Sequence, residues 1–105
     1  IIRNTINAAN EQHGYTFTGD SGYHWRLSIT PGYDSALDPQ VTVYDPAGAI
    51  IAQSDDRAVG DVSAQVDVFP TQAGTYRVIV DSAQGGITTG SYRLTLDVLT
   101  WPSGE

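Results

Sequence analysis

The chain has 105 residues, 40% of them hydrophobic and 16% charged, and its 12 acidic side chains outnumber its 5 basic ones for a formal charge of −7. That length gives room for one hydrophobic core, and the charge is too sparse for a disordered tail. The negative balance disfavours nucleic-acid phosphates and anionic membrane surfaces as partners, while the absence of cysteine removes disulfide frameworks, thiolate metal sites and thiol nucleophiles.

Residues 1–13 read as a lead-in or edge segment and 14–105 as the globular domain. With no initiating methionine, no signal-peptide pattern and no apolar run near the ~20 residues that span a bilayer, the expectation is a fragment of a longer protein that does not insert into membranes. The stretch Asn4 to Gln12 is polar and unpatterned, open to helix, edge strand or linker.

From there the period is two. A short run at Tyr15 to Thr18 precedes the clearest alternation, Tyr23, Trp25, Leu27 and Ile29 against His24, Arg26, Ser28 and Thr30, which Pro31-Gly32 ends. Gln40 to Tyr44 and Ala49 to Gln53 flank Asp45-Pro46-Ala47-Gly48, whose proline and glycine suit a tight turn and make the two runs antiparallel neighbours. Val62 to Phe69, Tyr76 to Val80 and Tyr92 to Val98 complete the set.

About seven to eight short strands separated by Gly, Pro and Asp turns predict an all-β fold, an antiparallel sandwich of two sheets. The expected core is Phe17, Trp25, Leu27, Ile29, Val41, Val43, Ile50, Val66, Val68, Tyr76, Val78, Val80, Leu94 and Leu96. No internal repeat or low-complexity stretch interrupts it.

The ordered motifs Tyr15-Thr16-Phe17-Thr18-Gly19-Asp20, Leu37-Asp38-Pro39, Tyr44-Asp45-Pro46-Ala47-Gly48, Ser54-Asp55-Asp56, Ala73-Gly74-Thr75-Tyr76 and Gly90-Ser91-Tyr92 run from about Gly14 to Val98. Together they resemble the bacterial pre-peptidase C-terminal domain family. The resemblance implies a jelly-roll-like sandwich attached to a secreted peptidase or another exported or surface protein, hence an extracellular or cell-surface home. Some members bind calcium, and the collagen-binding domains of clostridial collagenases are related. The chain departs from that collagen-binding version, since residues 1–12 carry only Glu11 where it has a dense acidic run.

Asp55, Asp56 and Asp61, with Gly60 among them, form the one acidic loop with metal-like density. Calcium takes six to eight oxygen ligands, which such a loop can gather from carboxylates and carbonyls, although the spacing is not that of an EF-hand and a solvated acidic turn explains the same residues. Asp20, Asp34, Asp38 and Asp45 sit beside glycine or proline, where aspartate shapes turns.

His13 and His24 lack a nucleophile motif or a third ligand at metal spacing, so ordinary surface histidines and no catalysis are expected. Tyr33, Tyr44 and Trp101 are the aromatics placed to stack on sugars or anchor a protein, against the plainer reading that they cover sheet edges. The expected function is a noncatalytic accessory domain aiding stability, secretion or targeting. Its partners would be neighbouring domains of the parent protein, with a polysaccharide or matrix protein as the ligand of a binding module. A structural spacer in an adhesin is the further alternative.

Overall fold

The computed structural model describes residues 2–8, 10–32, 35–54, 63–82 and 88–100. Eight strands follow in chain order: β1 (Ile2–Ile6), β2 (His13–Gly19), β3 (His24–Pro31), β4 (Pro39–Tyr44), β5 (Ile50–Ser54), β6 (Ala64–Val68), β7 (Gly74–Ser82) and β8 (Gly90–Thr100). They form two four-stranded sheets, one in the order β1-β8-β3-β6 and the other β2-β7-β4-β5, with every pairing antiparallel. This is the sandwich that the alternation predicts, because each strand has one apolar face to bury and two sheets can bury theirs against each other.

The strand from His24 shows the cause most plainly. Trp25, Leu27 and Ile29 are buried while the residues between them are half-buried, and β7 repeats this with Tyr76, Val78 and Val80. The Trp25 indole stands edge-on to Phe17 at 4.5 Å and to Tyr76 at 5.7 Å between ring centres. It also lies so close over Gly19 that an added Cβ would sit 2.0 Å from the ring, so the end of β2 has room only for glycine. The Tyr76 hydroxyl donates to the Gln72 carbonyl at 2.8 Å, which ties the turn before β7 to the core.

The β4–β5 hairpin forms as its sequence predicts. The Asp45 carboxylate accepts from the Ala47 and Ala49 amides at 3.0 and 2.9 Å, and Gly48 takes φ +93°. That conformation is costly for a residue with a Cβ and ordinary for glycine. The register then slips between Val43 and Tyr44, leaving Ile51 as an extra residue on β5.

Three parts of the expected core differ. Ile50 is 56% exposed because it lies beside that slip on an edge strand, and Leu96 is 39% exposed although it faces inward. Leu96 lies on β8 past Leu94, the partner of Ile2, and lines an open hollow with Phe17, Tyr23 and Trp25. Phe17 is only partly buried, packed against the core at the same opening. Conversely Ile6, Leu37, Ala64 and Tyr92 are buried without having been expected there. The polar stretch after Ile2 is an edge strand as far as Ile6, which holds the start of the chain against β8.

Candidate binding surfaces

Asp55, Asp56 and Asp61, together with Tyr33 and Trp101, lie outside the described residues. Of the candidate metal and ligand-binding residues, Tyr44 is described. It ends β4 on the outer side of its sheet, half-buried, with the Arg77 guanidinium 4.8 Å above its ring. The two line a shallow hollow of ≈ 250 Å³ with Thr16, Asp45 and Thr75. Among the described residues no group of three or more His, Asp or Glu side chains could hold a metal ion.

The structure brings together two features that no run of sequence displays. The first is a polar chain through the side of the sandwich. Asn4 Nδ2 donates to the Tyr15 hydroxyl at 3.3 Å, and the Tyr15 and Tyr92 hydroxyls lie 2.5 Å apart. His13 places Nδ1 2.6 Å from the Tyr92 hydroxyl and Nε2 2.6 Å from Glu11 Oε2.

Donor chemistry fixes one self-consistent order for neutral His13. The amide can only donate and the carboxylate can only accept, so protons run from Asn4 through Tyr15, Tyr92 and His13 to Glu11, with the His13 proton on Nε2. Protonating His13 would make both ring nitrogens donors and force the Tyr92 hydroxyl to turn toward Tyr15. The His13 hydrogen bond, and after it the Asn7 amide, hold the Glu11 carboxyl below its ordinary range. Burial, and after it the bond to Tyr15, push the Tyr92 phenol up.

A carboxylate, an imidazole and a hydroxyl in line have the outline of a nucleophilic triad. Here the hydroxyl belongs to Tyr92, which is 1% exposed, and its raised proton affinity makes the phenolate harder to form. The arrangement suits a structural role, joining β2 of one sheet to β1 and β8 of the other. His13, read from sequence as an ordinary surface histidine, is instead 16% exposed and bonded at both ring nitrogens. His24 lies on its strand's outer face as expected, stacked 4.2 Å from the Phe69 ring and 3.3 Å from an Asp67 oxygen.

The second feature is an apolar cleft of ≈ 490 Å³ at the open half of β8, lined by Phe17, Tyr23, Trp25, Leu96 and Val98, with Asp20 at its rim. It opens beside Leu96, past Leu94, which is the residue of β8 paired with Ile2. The aromatics flanking the Asp20 to Gly22 turn were visible in the sequence. Their meeting with Leu96 and Val98 of β8 was not.

Eight antiparallel strands in two sheets, with a polar chain stitching one side and an apolar cleft beside it, define a β-sandwich. The pre-peptidase C-terminal domain of a collagenase from Bacillus anthracis superposes with a TM-score of 0.70, covering 91% of this chain and 86% of that one at 17% identity. Aeromonas hydrophila PliG, a periplasmic lysozyme inhibitor of g-type lysozyme, superposes with a TM-score of 0.64 over 92% of this chain and 82% of that one at 15% identity. At these identities the likeness is one of fold, and it bears out the sandwich and the resemblance at that level. No protein-family model matches the chain, and no curated protein matches it by sequence.

Proposed function

We propose that this chain is a noncatalytic accessory domain of a secreted or surface protein of bacterial origin. The observation that carries the reading is the superposition on a collagenase's pre-peptidase C-terminal domain over nine-tenths of the chain, 91%. That neighbour is by name an appendage of an enzyme, and the other is by name an inhibitor of one. An enzyme that attacks collagen and a periplasmic inhibitor both work beyond the cytoplasmic membrane, which supports an exported home. Fold alone does not fix an activity, so the test is functional.

The purified chain should show no turnover on peptide, ester or glycoside substrates. Fused behind a secreted reporter hydrolase, it should raise that enzyme's melting temperature or its retention on insoluble polysaccharide or collagen. Turnover abolished by His13→Ala would overturn the reading, and a fusion that changes neither property would favour a plain spacer.

Calcium at Asp55, Asp56 and Asp61 is part of the same proposal. A site filled to ~100 times its dissociation constant adds about 2.7 kcal/mol. A melt in calcium against chelator should therefore show a clear rise that Asp55→Ala with Asp56→Ala abolishes. Identical melts would dismiss calcium as a stabilising ligand.

A further inference from the structure

The outer face of the β1-β8-β3-β6 sheet is arranged in cross-strand rows. In one row Asp97 on β8, Arg26 on β3 and Asp67 on β6 stand in register, so an arginine sits between two acids and donates to Asp67 at 3.0 Å. Two rungs nearer the start of β8, Arg3 on β1 stands directly opposite Arg93, with Thr30 of β3 on the other side. Both arginines are exposed, and no described residue forms an ion pair with either. Two of the five basic residues in a chain of net charge −7 are thus held side by side. Like charges directly opposite in a sheet are destabilising.

The pairing brings them close. The Ser91 carbonyl accepts from the Gly32 amide, so the backbone groups of Ser91 face β3, and by alternation those of Arg93 do too. Arg3 and Arg93 are therefore a non-hydrogen-bonded pair, the type whose Cα atoms approach to about 4.5 Å with side chains nearest. They line a cavity of ≈ 530 Å³ with Thr5, Ser91, Pro31 and Gly32. Two arginines and two hydroxyl-bearing residues thus line one hollow, and guanidinium matches planar or tetrahedral oxyanions in a bidentate way that a point charge does not.

The geometry points to an oxyanion site at Arg3 and Arg93 that takes a carboxylate or sulfate ester carried on a saccharide. The arginines hold the charged group, and the Thr5 and Ser91 side chains meet the neighbouring sugar hydroxyls. Duplex DNA carries one negative charge per ~1.7 Å of its axis, a denser line of charge than one acid group per sugar, so the strongly acidic remainder of the molecule repels it more and a nucleic acid is the poorer fit. The site depends on β1, β8 and the end of β3 and stands whether or not the domain serves a secreted enzyme.

The test is calorimetric titration of the whole chain with a galacturonate hexamer, a κ-carrageenan oligomer, cellohexaose, inorganic sulfate and a short DNA duplex. One or both acidic oligosaccharides should bind, the carboxylate or the sulfate arm identifying the group. Arg3→Gln or Arg93→Gln should each weaken that binding roughly 10-fold, as expected for losing a charged hydrogen-bonding partner. Arg77→Gln, which removes the same charge from the other sheet, should leave it unchanged. Melting curves of the two site variants at or above the parent's temperature show that they fold. Equal binding of cellohexaose or DNA, equal loss in Arg77→Gln, sulfate binding as well as the oligosaccharides, or no binding at millimolar concentration would each overturn the assignment.

Discussion

Asn4 and Tyr92 face each other across β1 and β8 on the inward side, Tyr92 buried and Asn4 exposed, and one residue along each strand Arg3 and Arg93 face each other on the outside. The inner pair belongs to a chain in which each hydroxyl and ring nitrogen has a partner, from Asn4 to Glu11. The outer pair is two like charges with no acid among the described residues. Burial explains the contrast, since a buried hydroxyl without a partner costs far more than an exposed guanidinium that water can solvate. The inner row is therefore fixed by stability, while the outer row, which stability would avoid, is free to serve a ligand.

Breaking the inner row should have the largest effect. Tyr92→Phe removes the central hydroxyl and leaves the Tyr15 hydroxyl and His13 Nδ1 short of a partner, at a cost of about 1–3 kcal/mol. For a domain of this size that lowers the melting temperature by roughly 4–8 °C per kcal/mol, readable by circular dichroism. Because the folded Tyr92 phenol is raised above its ordinary 10.0, its contribution is complete below that pH and is lost as pH climbs through the folded value. The parent should lose stability above pH 10 more steeply than Tyr92→Phe.

Filling the outer row comes next. An acidic oligosaccharide at ~10 times its dissociation constant should stabilise the parent by about 1.4 kcal/mol, and this shift should vanish in Arg3→Gln. Without ligand the sign reverses: Arg3→Gln or Arg93→Gln should leave stability unchanged or raise it, by up to about 0.2–1 kcal/mol, because the like-charge pair is relieved. A loss of stability in both variants would mean the pair is structural and would erase the contrast.

The smallest effect is at acid pH. His13 holds the Glu11 carboxyl below its ordinary 4.5, and Arg26, then His24, hold Asp67 below 3.8. Groups depressed in the folded state stabilise it above their unfolded values, and that contribution goes as pH falls through the folded ones. Stability should thus decline below about pH 4.5, and Glu11→Gln should flatten the upper part of the decline in a pH series of melts.

The strands were legible in the sequence because alternation at Tyr23 to Thr30, Tyr76 to Val80 and Tyr92 to Val98 is a local signal, and the Asp45 to Gly48 turn fixed one pairing. What could not be read depends on register between distant segments. The polar chain needs positions 4, 11, 13, 15 and 92 to meet across both sheets, and the arginine pair needs Arg3 to fall opposite Arg93. Leu96 was placed in the core by its periodicity and instead lines the open hollow beside Phe17 and Trp25. Leu37 packs into the core from a connection with no period at all, and Ile6 from a segment whose polar neighbours hid it.

The most direct measurement is an amide-shift map of the chain titrated with the acidic oligosaccharide that binds. Shifts should group at Arg3, Thr5, Ser91 and Arg93, with the Phe17, Trp25 and Leu96 cleft undisturbed. Shifts centred on that cleft, or spread over the surface without a focus, would contradict the oxyanion site.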